Sequence, residues 1–274
     1  MSVEFVEKYG PWALVAGASE GVGAAFAEAL AARGLNVVLL ARRQQALDEV
    51  AARIRATSGV ETRTLAVDLA GPDATASVTS ALADLEIGLL VYCAGADADY
   101  AALLDKPVGT AQALIRRNCT VLVELCHSFG APMVARGRGG IVIFGSGSGF
   151  AGAPKLATYA ATKAFDMVFA EGLWAELEPH GVDVLGLVLG ETDTPALRRM
   201  RHQLGLAGSP DERPPGAARV EDVVADGLAH LGRGPIRMAD RKLRLGSRGF
   251  FPMGRNRMAR LMTQATVKTM EPRG

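Results

Sequence analysis

The sequence has few cysteines, almost no net charge and no long apolar run, and each shortage excludes a class of protein. Its cysteines, Cys93, Cys119 and Cys126, are odd in number and lack C-x-x-C spacing, so we expect neither a disulfide framework nor a zinc site. The 30 Lys and Arg residues oppose 29 Asp and Glu residues, a balance that gives no reason to expect nucleic acid as a partner. No stretch approaches the roughly 20 apolar residues that cross a bilayer. The acidic N-terminal segment lacks the apolar core of a secretion signal, and we expect a cytoplasmic protein.

Short apolar runs alternate with longer amphipathic segments through most of the chain. The candidate strands are Trp12–Ala16, Asn36–Leu40, Thr62–Val67, Gly88–Tyr92, Gly140–Phe144, Val182–Val188 and a short run near Pro235–Met238. The candidate helices are Val22–Arg33, Gln44–Thr57, Asp73–Asp84, Gly109–Arg136, Leu156–Glu178 and Val220–Leu231. Strands that are apolar on both faces and alternate with helices predict an α/β fold, a Rossmann-type doubly wound parallel sheet flanked by helices on both faces. The 274 residues fit a single domain of this kind, with ligands at the carboxyl ends of the strands.

Two segments break the alternation. Residues 190–218 are rich in glycine, proline and charge, which is typical of a mobile lid. The C-terminal extension, residues 240–274, is basic, with seven Lys and Arg residues and no acid between Arg241 and Arg260. It is a candidate cover for a substrate pocket, an oligomer contact, a weak contact for an anionic membrane or an acidic acyl carrier, or a solvated tail.

A glycine-rich turn joins the first candidate strand to the first candidate helix. Gly17, Gly21 and Gly23 have the spacing G-x-x-x-G-x-G, which lets the backbone approach a pyrophosphate at a helix N-terminus, although such turns also serve plain packing. Arg42 and Arg43 follow the second strand, where an acid would bind the ribose 2′-hydroxyl of NAD. An arginine there suits a 2′-phosphate and favours NADP(H) over NAD(H); the alternative is a pair of solvated residues at a helix start.

A tyrosine and a lysine four residues apart form the clearest chemical signal. Tyr159 and Lys163 project from the same face of a predicted helix, and Ser146 precedes them at the end of a predicted strand. An ammonium beside a phenol favours the phenolate, which creates a general acid–base for a ketone or an alcohol. The serine hydroxyl is placed to bind the same substrate oxygen.

These motifs, in this order over about residues 10–240, resemble the classical short-chain dehydrogenase/reductase family. The resemblance implies that Ser146, Tyr159 and Lys163 are catalytic and that Asn118 supports a proton relay through water. Tyr159 is then the general acid–base, and Lys163 binds the nicotinamide ribose. With the two arginines, the expected cofactor-binding residues are Gly17, Ser19, Gly21, Val22, Gly23, Arg42, Arg43, Asp68, Leu69, Ala94, Gly95, Tyr159, Lys163, Gly190 and Thr194.

The sequence differs from the family pattern at three places, and the resemblance does not identify the substrate. Ala16 and Leu189 replace a threonine and a proline of the family pattern, and the pair Tyr92-Cys93 replaces two asparagines. Besides Ser146 and Tyr159, the candidate substrate contacts are the apolar residues Phe150, Leu197 and Met200, for which ordinary core packing is the alternative interpretation. Apolar contacts favour a hydrophobic ketone or secondary alcohol.

The sequence therefore predicts an NADP(H)-dependent oxidoreductase, a ketoreductase or secondary alcohol dehydrogenase that acts on a small hydrophobic substrate. A reductase of 3-oxoacyl thioesters is an alternative with the same catalytic residues, and a dinucleotide-binding redox sensor is an alternative without catalysis. NAD(H) is the less favoured cofactor. The resemblance also implies a homodimer or homotetramer built on the two long helices.

Overall fold

Seven parallel strands form the centre of the protein in a computed structural model that describes residues 3–96, 100–250, 254, 256–257 and 260. Their order in the sheet is β3-β2-β1-β4-β5-β6-β7. The strands are β1 (Trp12–Ala16), β2 (Asn36–Ala41), β3 (Thr62–Ala66), β4 (Ile87–Tyr92), β5 (Gly139–Ser146), β6 (Val182–Leu189) and β7 (Ile236–Met238). Because the chain reverses its direction across the sheet between β1 and β4, a crevice opens at the carboxyl ends of these two strands.

Helices cover both faces of the sheet. They are α1 (Val3–Tyr9), α2 (Gly21–Ala31), α3 (Gln44–Ser58), α4 (Ala74–Ala81), α5 (Val108–Ile115), α6 (Val121–Arg136), α7 (Ala157–Leu177), α8 (Pro195–Gln203), α9 (Val220–His230) and α10 (Arg241–Phe250). Helices α2, α3 and α9 pack on one face, and α4, α6 and α7 pack on the other. Within the described ranges, no helix combines the length and apolarity that a membrane crossing needs.

The alternation of side chains along β1 divides the core into two layers. Ala13 and Val15 face the first layer, whereas Leu14 and Ala16 face the second, and all four are fully buried. A strand with no polar face is stable only between two layers of helices, which explains the continuous apolar runs of the sequence. The predicted fold class is confirmed, and each predicted strand lies within two residues of its predicted bounds at either end.

The helices depart from the prediction in four places. The predicted helix Gly109–Arg136 is α5 and α6 joined by a π-helical turn at Arg116–Thr120, because one extra residue is accommodated there. Helix α8 lies inside the predicted lid and begins with Thr194, whose hydroxyl accepts a hydrogen bond from the Leu197 amide at 3.2 Å. Helices α1 and α10 are absent from the predicted helices. Most of the basic C-terminal extension after residue 250 lies outside the described residues.

Candidate active site

The glycine turn lies at the switch between β1 and β4. Gly17 has φ +89°, and a Cβ on it would lie 2.8 Å from the amide nitrogen of Ala94, in the segment that follows β4. A Cβ on Gly23 would lie 2.1 Å from the carbonyl oxygen of Gly17, so both glycines are required by close backbone contacts. Val22 is buried behind the turn.

Helix α2 begins at Gly21 without a side-chain cap from Glu20, so the amides of its first turn are not occupied by that side chain. A helix N-terminus of this kind binds a phosphate group, and the close glycine contacts keep side chains out of its way. The residues present therefore fit a dinucleotide.

The two arginines after β2 differ in their surroundings. Arg42 is exposed directly after the strand end. Arg43 donates a hydrogen bond to the Ser19 hydroxyl at 3.4 Å and forms an ion pair with Glu20 at 3.1 Å. Glu20 also pairs with Arg199 of α8 at 2.5 Å, so one carboxylate connects the glycine turn, the arginine after β2 and the predicted lid.

The electrostatic state of Glu20 follows from this double pairing. Partial burial raises the pKa of its carboxyl, but the hydrogen bonds and charges of Arg199 and Arg43 outweigh burial and hold that pKa below its usual value. The carboxylate is therefore ionised at neutral pH.

The remaining candidate cofactor residues occupy the other strand ends. Asp68 follows β3 and is exposed, its carboxylate accepting a hydrogen bond from the Ala70 amide at 3.0 Å, and Leu69 beside it is buried. Gly190 follows β6. The Thr194 side chain lies against Gly21, because a Cβ on that glycine would be 3.2 Å from the threonine Cγ2. Thr194 thus lies where the lid meets the glycine turn.

The π-helical turn directs Asn118 into the protein. Its side chain is 1% exposed, and its amide nitrogen donates hydrogen bonds to the Gly95 carbonyl at 3.1 Å and to the Thr162 hydroxyl at 2.9 Å. The Thr162 hydroxyl in turn donates to the Tyr159 carbonyl at 2.8 Å. The Asn118 carbonyl oxygen is buried without a hydrogen-bond partner among the described groups, which leaves an acceptor for water or ligand.

Tyr159 and Lys163 lie one turn apart on α7. The Lys163 ammonium is 5.9 Å from the centre of the Tyr159 ring and donates a hydrogen bond to the Phe144 carbonyl of β5 at 2.8 Å. Ser146 ends the same strand, and its hydroxyl accepts a hydrogen bond from the Ser148 amide at 3.2 Å. The turn that follows packs directly on α7, since a Cβ on Gly149 would lie 2.6 Å from the Lys163 carbonyl carbon. This close packing places the turn that begins after Ser146 against the helix that carries Tyr159 and Lys163.

An aspartate completes this face of α7. The Asp166 carboxylate is 3% exposed and accepts a hydrogen bond from the Lys163 ammonium at 2.8 Å. Burial lowers the pKa of Lys163, but the charges of Asp166 and Tyr159 and the hydrogen bond to Asp166 outweigh burial and raise that pKa above its usual value. Burial raises the pKa of the Asp166 carboxyl, and Lys163 offsets this only in part. The ammonium is therefore held in its charged form.

Two hydrogen bonds connect elements at positions where the sequence departs from the family pattern. The Cys93 amide donates to the Ala16 carbonyl at 2.9 Å, so β1 and β4 remain joined through their backbones. The Tyr92 hydroxyl donates to the Arg117 carbonyl at 2.5 Å and ties β4 to the π-helical turn. These contacts hold the two strand ends and Asn118 in one arrangement.

A cavity of about 430 Å³ opens beside the turn that follows Ser146. It is lined by Gly147, Phe150, Ala151 and Gly190, by Asp240, and by Lys242, Leu243, Gly246 and Ser247 of α10. Leu197 and Met200 are half-buried on α8 and do not belong to this lining, so their contact with substrate remains a prediction. Helix α10, the described part of the basic segment, lines this cavity, and the role of that segment as the cover of a substrate pocket stays a prediction.

Sequence reasoning missed three members of the site. Thr162 and Asp166 each follow a predicted catalytic residue by three positions, a spacing that places them on the same helical face. This was a usable signal, because a charged residue on the buried face of an apolar helix requires a partner. Leu243 had no comparable signal, since nothing in the sequence shows where α10 docks.

Comparison with known proteins places these features in a family. The family model described as short chain dehydrogenase matches residues 11–205. The 7β-hydroxysteroid dehydrogenase of Clostridium sardiniense is 36% identical over 240 residues, 84% of this chain and 86% of its own length. The human very-long-chain 3-oxoacyl-CoA reductase is 38% identical over 178 residues, 64% of this chain and 57% of its own length.

A solved structure extends the likeness to the whole described fold. The short-chain dehydrogenase from Sphingobium yanoikuyae, solved in complex with NADPH, has a TM-score of 0.78 and 29% identity, covering 96% of this chain and 97% of that one. The chain belongs to the short-chain dehydrogenase family and is an oxidoreductase acting on hydroxyl or carbonyl groups with a nicotinamide cofactor.

Proposed function

We propose that the protein is an NADP(H)-dependent reductase of hydrophobic ketones, or in the reverse direction a secondary alcohol dehydrogenase. The observation that carries this proposal is the arrangement of Tyr159 and Lys163 on one face of α7, packed against the turn that begins at Ser146. A phenol, an ammonium and a hydroxyl so arranged suit proton transfer to a carbonyl oxygen.

Each residue has a distinct task in the proposed reaction. Tyr159 donates its proton to the carbonyl oxygen, and the Ser146 hydroxyl orients that oxygen by a hydrogen bond. Lys163 favours the phenolate that remains and directs an N–H at the cofactor ribose. Asn118, buried and joined to α7 through Thr162, holds the relay that returns a proton to Tyr159. A bound nicotinamide cofactor supplies the hydride that reduces the carbonyl carbon.

The preference for NADP(H) is supported by the charge at the end of β2. Arg42 and Arg43 stand where an NAD-selective site has an acid, and a guanidinium binds a 2′-phosphate through charge-assisted hydrogen bonds. Ser19, 3.4 Å from Arg43, adds a hydroxyl to the same place. The NADPH complex of the Sphingobium relative is consistent with this assignment.

A bulky apolar substrate is supported by the cavity and by the relatives. A volume of about 430 Å³ accommodates an alicyclic ligand, and Phe150 and Leu243 give it apolar walls. The hydroxysteroid dehydrogenase relative favours a steroid-like ketone or alcohol. The human relative named for 3-oxoacyl-CoA favours the second candidate, a 3-oxoacyl thioester.

The proposal includes an assembly, a lid and a compartment. Helices α5, α6 and α7 carry exposed apolar side chains that support a homodimer or homotetramer, namely Val108, Ile115, Val123, Phe165 and Val168. Residues 190–218 act as the lid within a single domain, which the ion pair of Arg199 with Glu20 supports. A cytoplasmic location is supported by three cysteines that are all free.

The decisive experiment follows NADPH consumption with cyclic, aromatic and steroidal ketones and with 3-oxoacyl thioesters. We expect turnover of the ketones by the wild type and none by Tyr159→Phe, which keeps the ring and removes the acid. Binding of NADPH by both proteins is the control for folding. Turnover of thioesters alone would favour the second candidate. NADPH binding without turnover of any compound would favour a redox sensor and refute the proposal.

A further inference from the structure

Asp166 is a buried acid in direct contact with the lysine of the proposed reaction. Its carboxylate oxygen Oδ2 lies 2.8 Å from the Lys163 ammonium, and the Phe144 carbonyl lies 2.8 Å from the same nitrogen. An ammonium has three N–H groups. Two are therefore fixed by acceptors on α7 and β5, and the third is left for a ligand.

The geometry of this pair is poorly suited to a purely structural role. The second carboxylate oxygen, Oδ1 of Asp166, is buried and has no hydrogen-bond partner among the described groups. An incompletely bonded buried ion pair contributes little net stability, because desolvation of the charges offsets their attraction. The position of Asp166 beside the lysine accordingly suggests that its charge serves the reaction.

We propose, on the basis of the reductase function above, that Asp166 is a positioning residue that orients the Lys163 ammonium and offsets part of its charge, which favours proton donation by Tyr159. An isolated ammonium beside a phenol favours the phenolate. A carboxylate 2.8 Å from that ammonium cancels part of its field. The enzyme is thereby biased toward proton donation, that is, toward reduction of a carbonyl.

The other titratable groups around the pair stay neutral near physiological pH. Tyr92 and Cys93 face it from the end of β4, Cys119 from the π-helical turn and Cys126 from α6. Burial raises the pKa of Cys93 to about 12 and that of Cys119 to about 11, and it also raises those of Tyr92 and Cys126.

Among the described residues, Arg117 brings a permanent charge to this cluster; its guanidinium donates a hydrogen bond to the Ala96 carbonyl at 2.8 Å, and its charge opposes the rise in the pKa of Tyr92. That charge is the same in wild type and in the Asp166 variants, so a difference between them reports on Asp166.

The first test compares pH–rate profiles of wild type, Asp166→Asn and Asp166→Glu in both directions. We expect Asp166→Asn to move the alkaline loss of reductase activity, and the rise of dehydrogenase activity, to lower pH by about one unit. Asp166→Glu, which restores the charge, should return both toward the wild-type position. Met167→Ala is the matched control, because it removes a buried side chain of the same helix without changing charge. Loss of rate at all pH values with no displacement of the profile would overturn the proposal.

A second test needs no turnover and keeps the inference separate from the reductase assignment. Tyrosinate absorbance is titrated in wild type and in Tyr159→Phe, and their difference isolates Tyr159 among the four tyrosines. The same difference is then measured between Asp166→Asn and the double variant Asp166→Asn/Tyr159→Phe. If the midpoint of the Tyr159 titration is about one unit lower in the Asp166→Asn background, the proposal is supported even if no ketone is reduced. An unchanged or higher midpoint refutes it, whatever the activity assays show.

Discussion

Glu20 is predicted to weaken NADPH binding, because its carboxylate forms an ion pair with Arg43, the arginine proposed to bind the 2′-phosphate. Its carboxylate lies 3.1 Å from Arg43 and 2.5 Å from Arg199. A bound 2′-phosphate has to draw Arg43 away from this carboxylate and to tolerate its negative charge. Glu20→Gln keeps the size of the side chain and removes both obstacles, so NADPH should bind more tightly while NADH is unaffected.

The magnitude follows from the exposure of the pair. The side chains of Arg43 and Glu20 are 57% and 28% exposed, so solvent screens their attraction and the pair contributes about 0.2–1 kcal/mol. Release of Arg43 should lower the Kd for NADPH by about 1.4- to 5-fold, since 1.4 kcal/mol corresponds to tenfold. The effect should shrink in high salt, because the charges are partly exposed.

The assay is a titration of cofactor fluorescence with NADPH and with NADH at two salt concentrations. Arg199→Gln is the matched control, since it frees α8 from Glu20 without changing the contact with Arg43. Equal tightening of both cofactors by Glu20→Gln, or the same gain in Arg199→Gln, would show that release of the lid is responsible. Either result would refute the reasoning from Arg43.

Three further predictions concern the core, the site and the ion pairs. Phe26→Ala removes a fully buried ring packed edge-on against Phe144 and should lower the free energy of unfolding in urea by about 3–5 kcal/mol. Gly95→Ala would place a Cβ 3.1 Å from the Lys163 ammonium and should reduce kcat/KM by more than about tenfold, whereas Gly59→Ala, also at a positive φ but facing open space, should leave it unchanged. Burial raises the pKa of Asp226, but Arg237 outweighs it and holds that pKa below the usual value, so the pair stabilises the fold above about pH 4 and is lost as the carboxyl is protonated. Asp226→Asn should lower Tm by about 2–8 °C at pH 7 and by much less at pH 3.

The sheet and the order of the motifs were predictable because they depend on local sequence patterns. A strand buried on both faces has to be apolar throughout, and a close approach such as that of Gly17 to Ala94 requires a glycine. Tyr159 and Lys163 were predictable for the same reason, since their spacing on one helix fixes their relative position.

Features that depend on contacts between distant segments could not be predicted in this way. The π-helical turn that directs Asn118 inward requires one extra residue in a helix of ordinary composition, and the periodicity of the sequence shows no interruption there. Docking of α10 beside the cavity depends on its ion pairs and packing, which no local pattern reveals. The partner of Glu20 across the site, Arg199, is 179 positions away in the chain.

The attachment of α10 determines which residues can change the shape of the cavity. The helix is joined to the sheet by the three-residue edge strand β7, and the Arg244 guanidinium fastens it by donating hydrogen bonds to the Met238 and Ala239 carbonyls at 2.6 and 3.2 Å. The α10 residues that line the cavity therefore lie in a different segment of the chain from the residues proposed to transfer protons. Substitutions in residues 241–250 are therefore expected to change the shape of the cavity without changing the residues proposed for proton transfer.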